Sequence, residues 1–476
     1  MMEKIKKIKT MCGNSSDLVI RTMKVLDEDV VIIFSEVLVG SQFLNDFILK
    51  KLSNITKINN TLFDTIFFTI PGGNVKKINS IENAVQKIYE GNAIIFTKDD
   101  SFISVEAIFP LDRGISSVEN EVAILGPKDS FTENLNKNIG LIRKRIRTPN
   151  LVVESLSIGE ESNTRISICY MKDICEESLL QEVYKKLNEV SIDIIMDATY
   201  LKERITHNDS LFPTVHMSER PDMASFALLE GKVVLVIDNS PYVLVIPTFF
   251  TDLFHTPDDY YQKNINASFT RILRLFAFFL SIFLPAYYIS ITTHNQNSVS
   301  LNILLNLIVQ RQLVPFPAFF EALIMILAFE ILRESDIRIP SKTGTSVSIL
   351  GGLILGDAAV SAGIISPMMI LVIAISAIGA LVFTSTTVIN AIRYYRFFTL
   401  FLSAFFGLYG LFVGFVFLII RLSRLTSFGY FYLSPIAPVI NPEIRDSFIK
   451  IKGKHTEKRN PLLARKNIYR GKYNEK

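Results

Sequence analysis

Hydrophobic positions follow two different patterns, and the change between them divides the chain. Up to about residue 265, short apolar runs alternate with amphipathic segments. Residues 30–34 and 166–170 have the β-branched pattern of strands, and residues 176–187 carry apolar side chains on one helical face. From about 266 to 420 long apolar runs replace this pattern, and a basic tail follows at 421–476. The pattern predicts a soluble α/β region, a helical transmembrane domain and a basic tail.

The soluble region has related patterns in its two halves. A Glu-Gly pair ending at Gly91 precedes a strand, a polar turn and a second strand, and the pair ending at Gly231 begins the same succession. We therefore predict two α/β subdomains of related topology. The first is residues 1–150, including a connecting helix, and the second is residues 151–265. Chance similarity of two hairpins is the alternative.

The connecting segment contains a dense group of cations, Arg143, Lys144, Arg145 and Arg147. Such a run is typical of a solvated helix face or of a face that contacts anionic lipid heads. We therefore expect these side chains to lie on the surface.

The apolar region predicts helices that cross a bilayer, since a crossing needs about 20 mainly apolar residues. Four segments meet this length, at 275–293, 346–365, 368–390 and 397–420. A further segment, 315–331, contains two acids, so an interfacial, a re-entrant and a buried helix all stay open.

The number of crossings decides which side of the membrane the tail occupies. Four crossings put the basic tail in the cytoplasm with the N-terminal region, as the positive-inside rule and the absence of a signal peptide indicate. They also leave Arg393 and Arg396 in an external loop. A fifth crossing would bring these two arginines inside but export the tail. We favour four crossings, because the tail carries far more cations.

One acid stands out in the apolar region, because Asp357 is the single charged side chain between residues 343 and 392. Its neighbours are small, which lets helices pack closely, and a carboxylate in a membrane is costly unless it faces protein or water. In a ring of copies, acids favour cations and apolar collars gate by dewetting. The candidate pore or gate residues are Asp357, Val360, Ser361 and Ile364. The alternative is that Asp357 pairs with a buried partner and only stabilises the helices.

Other charged residues form two candidate groups. The candidate intramembrane charges are Glu321, Glu330, Arg333 and Glu334. The candidates for docking between subdomains or subunits are Arg143, Glu219, Arg220 and Asp222.

Composition argues against several functional classes. The five histidines are scattered, the three cysteines have no metal-ligand spacing, and no glycine-rich phosphate loop occurs. A net charge of +4 is too small to indicate nucleic acid. We therefore expect neither enzymatic activity nor a cofactor, a metal or a nucleic-acid partner. A secondary transporter would predict inverted repeats in the apolar region, which the sequence lacks. A nutrient site in the cleft between the subdomains stays open.

Several motifs, in this order and spacing, resemble the A subunit of the GerA family of spore germinant receptors. They include Asn138-Ile-Gly-Leu-Ile-Arg143, Asp209-Ser-Leu-Phe-Pro213, Glu219-Arg220-Pro221-Asp222, Pro257-Asp258-Asp259-Tyr260-Tyr261, Val314-Pro-Phe-Pro317 with Glu321, Phe329-Glu330-Ile-Leu-Arg333-Glu334 and Gly356-Asp357-Ala-Ala-Val-Ser-Ala-Gly363. Ser335-Asp336 and Asn460-Pro461 depart from the family pattern.

The resemblance implies a multi-pass protein of the spore inner membrane with a cytoplasmic N-terminal domain. It would act with B and C partner subunits and form a homo-oligomeric ion channel in the lipid bilayer, while the transporter-like B subunit senses the nutrient. The alternatives are a nutrient-binding or transporter-like subunit, and a paralogous germination protein that signals without sensing a nutrient.

Overall fold

The N-terminal region contains two five-stranded antiparallel sheets. The computed structural model describes residues 1–58, 61–99, 101–109, 121, 124–206, 210–338, 356–440, 447–450 and 458–470. The first sheet consists of β1 (Leu18–Val25), β2 (Glu28–Ser35), β3 (Val75–Ile78), β4 (Asn92–Phe96) and β5 (Phe102–Glu106). The second consists of β6 (Leu151–Ile158), β7 (Thr164–Met171), β8 (His216–Ser218), β9 (Val233–Ile237) and β10 (Val243–Ile246).

The two sheets have the same strand order. The first sheet is ordered β1-β2-β4-β5-β3, and the second is ordered β6-β7-β9-β10-β8. The hairpins β4-β5 and β9-β10 are the two that follow the Glu-Gly pairs. The predicted relation between the two halves is therefore confirmed at the level of topology.

Helices cover these sheets and connect them. The first half contains Met2–Met11, Ser41–Phe43, a π-helix at Leu44–Leu49, Lys50–Ser53, Leu62–Thr69 and Ile81–Tyr89. The connecting helix is Leu135–Arg145, and the second half contains Glu177–Asn188, Ala198–Ile205 and Pro221–Leu229. A 3-10 turn at Phe250–Phe254 and a short helix at Pro257–Tyr261 lead out of the second subdomain.

The two subdomains share one hydrophobic core. Ile33 and Phe96 from the first sheet pack in the same cluster as Ile142 from the connecting helix and Val153 and Val236 from the second sheet. The opposite face of each sheet packs on helices of its own subdomain. The connecting helix therefore lies between the two subdomains and joins them into one unit.

The apolar region folds into a helix bundle. Its helices are Asn264–Ile289, a π-helical continuation at Ser290–His294, a 3-10 turn at Gln296–Ser298, Leu301–Arg311, Ala318–Arg338, Pro367–Ala380 and Thr386–Arg424. A small hairpin of β11 (Thr426–Ser427) and β12 (Tyr430–Phe431) follows. Within the described residues, two helical segments are long and apolar enough to cross a membrane, Asn264–His294 and Thr386–Arg424.

The second of these segments is a hairpin of two helical arms. Gly407 has φ 59° and ψ −140°, a conformation open to glycine but strained for other residues. Beyond Gly407 the chain runs back, because the rings of Phe398 and Phe417 lie 4.9 Å apart. Nineteen residues of straight helix would separate them by about 28 Å. The crossing predicted at 397–420 is therefore not one continuous helix, and the reversal at Gly407 divides it.

The other predicted crossings agree with the helices to different degrees. Segment 275–293 lies inside Asn264–His294, whereas 368–390 is interrupted between Pro367–Ala380 and Thr386. Residues 346–355 lie outside the described residues, and residues 356–361 of this segment are helical. Segment 315–331 falls mostly within Ala318–Arg338, which buries one face at Ala318, Ala322, Met325 and Ile326 and exposes Phe320, Ile324, Leu327 and Ile331.

Candidate functional site

Arg143 forms a buried ion pair at the junction of the two subdomains. Its Nη2 donates to Asp17 Oδ1 at 2.8 Å and its Nε to Asp17 Oδ2 at 3.1 Å, and both side chains are buried. Burial opposes ionisation of Asp17, but Arg143 and the hydroxyls of Ser15 and Ser35 outweigh it, so the pKa of Asp17 is lowered. The expectation that Arg143 lies on a basic surface is therefore wrong, because its charge is neutralised inside the shared core.

This ion pair also reaches the second sheet. Arg143 Nη2 donates to Ser15 Oγ at 3.0 Å, and the same oxygen accepts from Val153 N at 2.9 Å. Among the neighbouring cations, Arg145 pairs with Asp129 at 2.7 Å, whereas Lys144 and Arg147 are exposed. The cations of this segment therefore fall into two groups. Arg143 and Arg145 form ion pairs within the protein, whereas Lys144 and Arg147 are exposed to solvent.

Glu219, Arg220 and Asp222 hold the segment that links the subdomains. Glu219 Oε1 accepts from Glu121 N at 2.7 Å, and the buried Arg220 donates to Glu121 O at 3.1 Å. Arg220 also donates to Pro127 O at 2.9 Å and pairs with Asp222 at 2.8 Å.

Asp222 extends this junction toward the bundle. It accepts from the Tyr261 hydroxyl at 2.6 Å. Burial raises the pKa of Asp222, but the hydrogen bonds from Arg220 and Tyr261 outweigh this and lower it. The group therefore joins the second subdomain, the linking segment and the helix that leads into the bundle.

A second ion-pair group lies where that short helix meets the first bundle helix. The buried Asp259 accepts from Arg274 Nη1 at 2.7 Å and from Arg271 Nε at 3.3 Å. Phe212 also inserts into the bundle, where its ring lies 5.4 Å from that of Tyr395. The sequence motifs contained Asp259 and Phe212 but did not reveal their partners, because the pairing depends on how the short helix turns into the bundle.

Glu321 is buried in the bundle and fully engaged. Arg311 donates to its Oε1 at 3.1 Å, and Ser366 donates to its Oε2 through the backbone N at 3.0 Å and through Oγ at 2.9 Å. Since Ser366 precedes Pro367–Ala380, Glu321 fixes the turn that begins this helix.

Glu330 lies among three arginines. Its carboxylate is 2.7 Å from Arg396 Nη2, 2.9 Å from Arg393 Nε and 3.4 Å from Arg333 Nη2. The assignment of Arg393 and Arg396 to a loop is therefore wrong. Both lie in Thr386–Arg424, and Arg396 is buried because Glu330 supplies its counter-charge. Glu334, by contrast, is exposed.

The candidate pore residues differ from these engaged acids. Asp357 and Ser361 lie one helical turn apart and are exposed, Val360 is half-buried, and Ile364 is 40% exposed. The segment is anchored at its other end, where Ile365 is buried and Ser366 bonds to Glu321. Among the residues that the structure describes, no ion-pair partner contacts Asp357, in contrast to Glu321 and Glu330.

Residue types suited to metal or thiol chemistry are dispersed. In the described part of the chain, no three His, Cys, Asp or Glu side chains come together as a metal site. The cysteines are free and buried, and burial raises the pKa of Cys12 to about 11 and the pKa of Cys169 to about 12.

Known proteins are similar to this chain over nearly its whole length. A family model described as Bacillus/Clostridium GerA spore germination protein matches residues 6–462. Spore germination protein KA of Bacillus subtilis (strain 168) is 35% identical, over 99% of this chain and 88% of the relative. Spore germination protein GerQA of Bacillus cereus is 34% identical, over 77% and 73%. An uncharacterized membrane protein, YfkQ of Bacillus subtilis (strain 168), is 30% identical, over 88% and 82%.

A solved structure is also similar in part. It is the crystal structure of the N-terminal domain of the A subunit of the Bacillus megaterium spore germinant receptor GerK3. The two chains are 25% identical with a TM-score of 0.42, over 52% of this chain and 95% of that one.

Proposed function

This chain belongs to the Bacillus/Clostridium GerA family of spore germination proteins, and we propose that it is the A subunit of a nutrient germinant receptor. In this proposal it spans the spore inner membrane several times, acts with B and C partner subunits and has no enzymatic role. Several copies surround a gated path that releases cations when a partner subunit senses the nutrient. The family membership predicted from the motifs is confirmed, and it supports the role in germination.

The path of the chain supports an even number of crossings. The first bundle helix begins at Asn264, directly after the second subdomain. After the last arm, Ser427 Oγ donates to Thr214 O at 2.7 Å and accepts from Thr248 N at 3.1 Å. The bundle thus starts and ends against the same subdomain. Entry and exit on one side agree with a cytoplasmic location of both the N-terminal domain and the tail.

The outer surface of the bundle supports contact with lipid or with further copies. Phe276, Phe405, Tyr409 and Phe412 are each at least 60% exposed. Large exposed apolar side chains on apolar helices are typical of membrane or protein interfaces. An assembly of copies in a bilayer would cover it.

The observation that carries the proposed cation path is the contrast between Asp357 and the other bundle acids. Glu321 and Glu330 are engaged by arginines, whereas the Asp357 side chain is exposed beside Ser361. An ionised acid on an apolar helix requires water or a partner outside the chain. A ring of copies would supply both, because it surrounds an aqueous axis with several carboxylates.

Substitution of Asp357 tests this path. We expect Asp357→Asn to reduce nutrient-triggered cation release from spores about tenfold, which corresponds to a loss of about 1.4 kcal/mol in cation stabilisation. The exposed acid Glu334 provides the matched control, Glu334→Gln, which should release cations at the wild-type rate. Ile364→Ala should release cations without nutrient, since a smaller side chain wets an apolar constriction more readily.

The contrary result is equally specific. If Asp357→Asn lowers the amount of the protein in spore membranes while release per remaining complex is unchanged, Asp357 is structural and the proposed path is wrong. Immunoblots of spore membranes, measured with the release assay, separate the two outcomes.

Germination signalling without nutrient sensing is the second candidate function. The family description, spore germination protein, names no nutrient and fits this function as well as it fits the receptor. Genes for B and C subunits next to the gene for this chain would support the receptor, and their absence would support the signalling protein.

A further inference from the structure

A cavity of about 380 Å³ lies where the second subdomain, the segment leading into the bundle and the tail meet. Its walls come from the helix Pro221–Leu229, from residues 249–260 and from residues 458–470, which we call the tail segment. Binding sites for small molecules have volumes of about 300–1,000 Å³. The cavity is therefore large enough for one small ligand.

The tail segment is firmly attached where it closes this cavity. Leu463 is fully buried in the core of the second subdomain. Gly231 has φ +89°, and a Cβ there would lie 2.7 Å from the Leu463 carbonyl oxygen. Arg459 Nε donates to Leu229 O at 2.8 Å, and Arg470 pairs with Glu230 at 2.7 Å. The tail segment is therefore a structural wall of the cavity.

One side of the cavity is aromatic. The rings of Phe226 and Tyr260 lie 4.5 Å apart, and Phe249 contributes a third ring to the lining. Lys232 also lines the cavity, but its charge is neutralised by Asp252 at 2.5 Å. This side suits an apolar or aromatic body.

Beside these rings the lining carries positive charge, since the Arg470 guanidinium lies 5.8 Å from the centre of the Phe226 ring. Besides Leu229 O, Arg459 donates to oxygens of Asn467 and Tyr469, which are uncharged. Burial lowers the pKa of Arg459, and Arg470 adds to this effect while Glu230 opposes it. Arg470 Nε is buried and has no hydrogen-bond partner among the residues described. One carboxylate, Glu230, thus serves two guanidinium groups and leaves room for another anion.

We propose that this cavity binds a small organic anion with an apolar body. Its anionic group lies at Arg459 and Arg470, and its body packs against Phe226, Phe249 and Tyr260. Guanidinium groups recognise carboxylates through paired N–H donors, and partial burial strengthens such bonds. The site is separate from the cation path and requires no assumption about conduction.

A fluorescence titration tests the site. The sequence contains no tryptophan, so Ile468→Trp in the tail segment introduces a single reporter that lines the cavity. The purified full chain in detergent is titrated with 3-phenylpropanoate, with the neutral 3-phenylpropanamide and with 3-phenylpropylamine, which is a cation. We expect a saturable change with the anion, and binding of the amide about tenfold weaker.

Two arginine variants separate a specific site from general attraction. In the reporter background, Arg470→Gln should weaken anion binding about tenfold, a factor that corresponds to about 1.4 kcal/mol. Arg465→Gln is the matched control, because this arginine lies in the same segment with an exposed side chain. It should bind the anion as the parent does and unfold at the parent's temperature. Arg470→Gln should stay folded but unfold at a somewhat lower temperature, because it loses the pair with Glu230.

Several results would overturn the proposal. One is that the anion and the amide bind equally well. The others are that Arg470→Gln and Arg465→Gln weaken anion binding to the same extent, or that Arg470→Gln leaves anion binding unchanged. A chain that retains Ile468 provides a second measurement. If about 10 mM 3-phenylpropanoate does not raise its unfolding temperature and the reporter shows no saturable change, the cavity does not bind such anions.

Discussion

A cysteine pair across the helical hairpin tests the reversal at Gly407 directly. The ideal Cβ position at Gly414 lies 3.6 Å from Thr399 Cβ, within the Cβ separation of about 3.5–4.5 Å that disulfides require. Fifteen residues of straight helix would instead separate the two positions by about 22 Å. The double variant Thr399→Cys/Gly414→Cys should therefore form a disulfide when membranes are treated with a mild oxidant.

The two substitutions should destabilise the bundle too little to disturb the assay. Thr399 Oγ1 donates to Ile282 O at 3.1 Å, and loss of such a bond costs about 1 kcal/mol. Disulfide formation is measured by adding maleimide-polyethylene glycol after denaturation, since a disulfide removes two labelled thiols. The native cysteines lie in the N-terminal region and are buried, so they give a constant background.

A matched pair on one helical arm provides the control. Ala391→Cys/Phe406→Cys has the same sequence separation, but both positions precede Gly407. It should stay reduced under the same conditions. If the 399–414 pair stays reduced, as the control pair does, the segment is a straight helix and the hairpin is wrong.

Two further predictions concern buried charges. Asp17→Asn should lower the free energy of unfolding by about 3–5 kcal/mol in urea titrations, because it leaves Arg143 buried without its counter-charge, whereas Asp29→Asn at an exposed position should change little. Folding lowers the pKa of Asp17 from 3.8, so the ionised carboxylate stabilises the fold fully above pH 3.8. This contribution is lost as the pH falls through the lower pKa of the folded state. The wild type should therefore lose more stability below about pH 4 than Asp17→Asn does. Glu330→Gln should reduce the amount of chain in membranes on immunoblots, since it removes the counter-charge of Arg393 and Arg396. Glu334→Gln should leave that amount unchanged, and equal losses in both would contradict the role of Glu330.

The sequence predicted the N-terminal region well because strands and helices there have clear local patterns. The repeated Glu-Gly hairpins even indicated the related topology that the strand orders confirm. The shared core was not predictable in the same way. Arg143 and Asp17 are far apart in sequence, and a cation run such as 143–147 is usually exposed. Only the docking of the two sheets makes one of these cations internal.

The bundle was harder to predict because hydropathy measures apolar content and not chain direction. A run from 397 to 420 has the length of one crossing, but one glycine conformation at Gly407 reverses it. Gly410 and Gly414 lie inside this hairpin, where Gly414 contacts Thr399. Hydropathy also could not predict the pairing of Glu330 with Arg396, because this ion pair joins segments that are distant in sequence.

The buried position of Leu463 has a consequence for biosynthesis. Leu463 completes the core of the second subdomain, and the ribosome reaches it only after every bundle helix has been made. Domains otherwise tend to fold as units in the order of their synthesis. Here the position beside Gly231 in the second subdomain stays empty until Leu463 has been synthesised after the last helical arm. Completion of the second subdomain is therefore tied to completion of the bundle, and a chain whose bundle fails to form leaves an apolar gap for quality-control proteases to recognise.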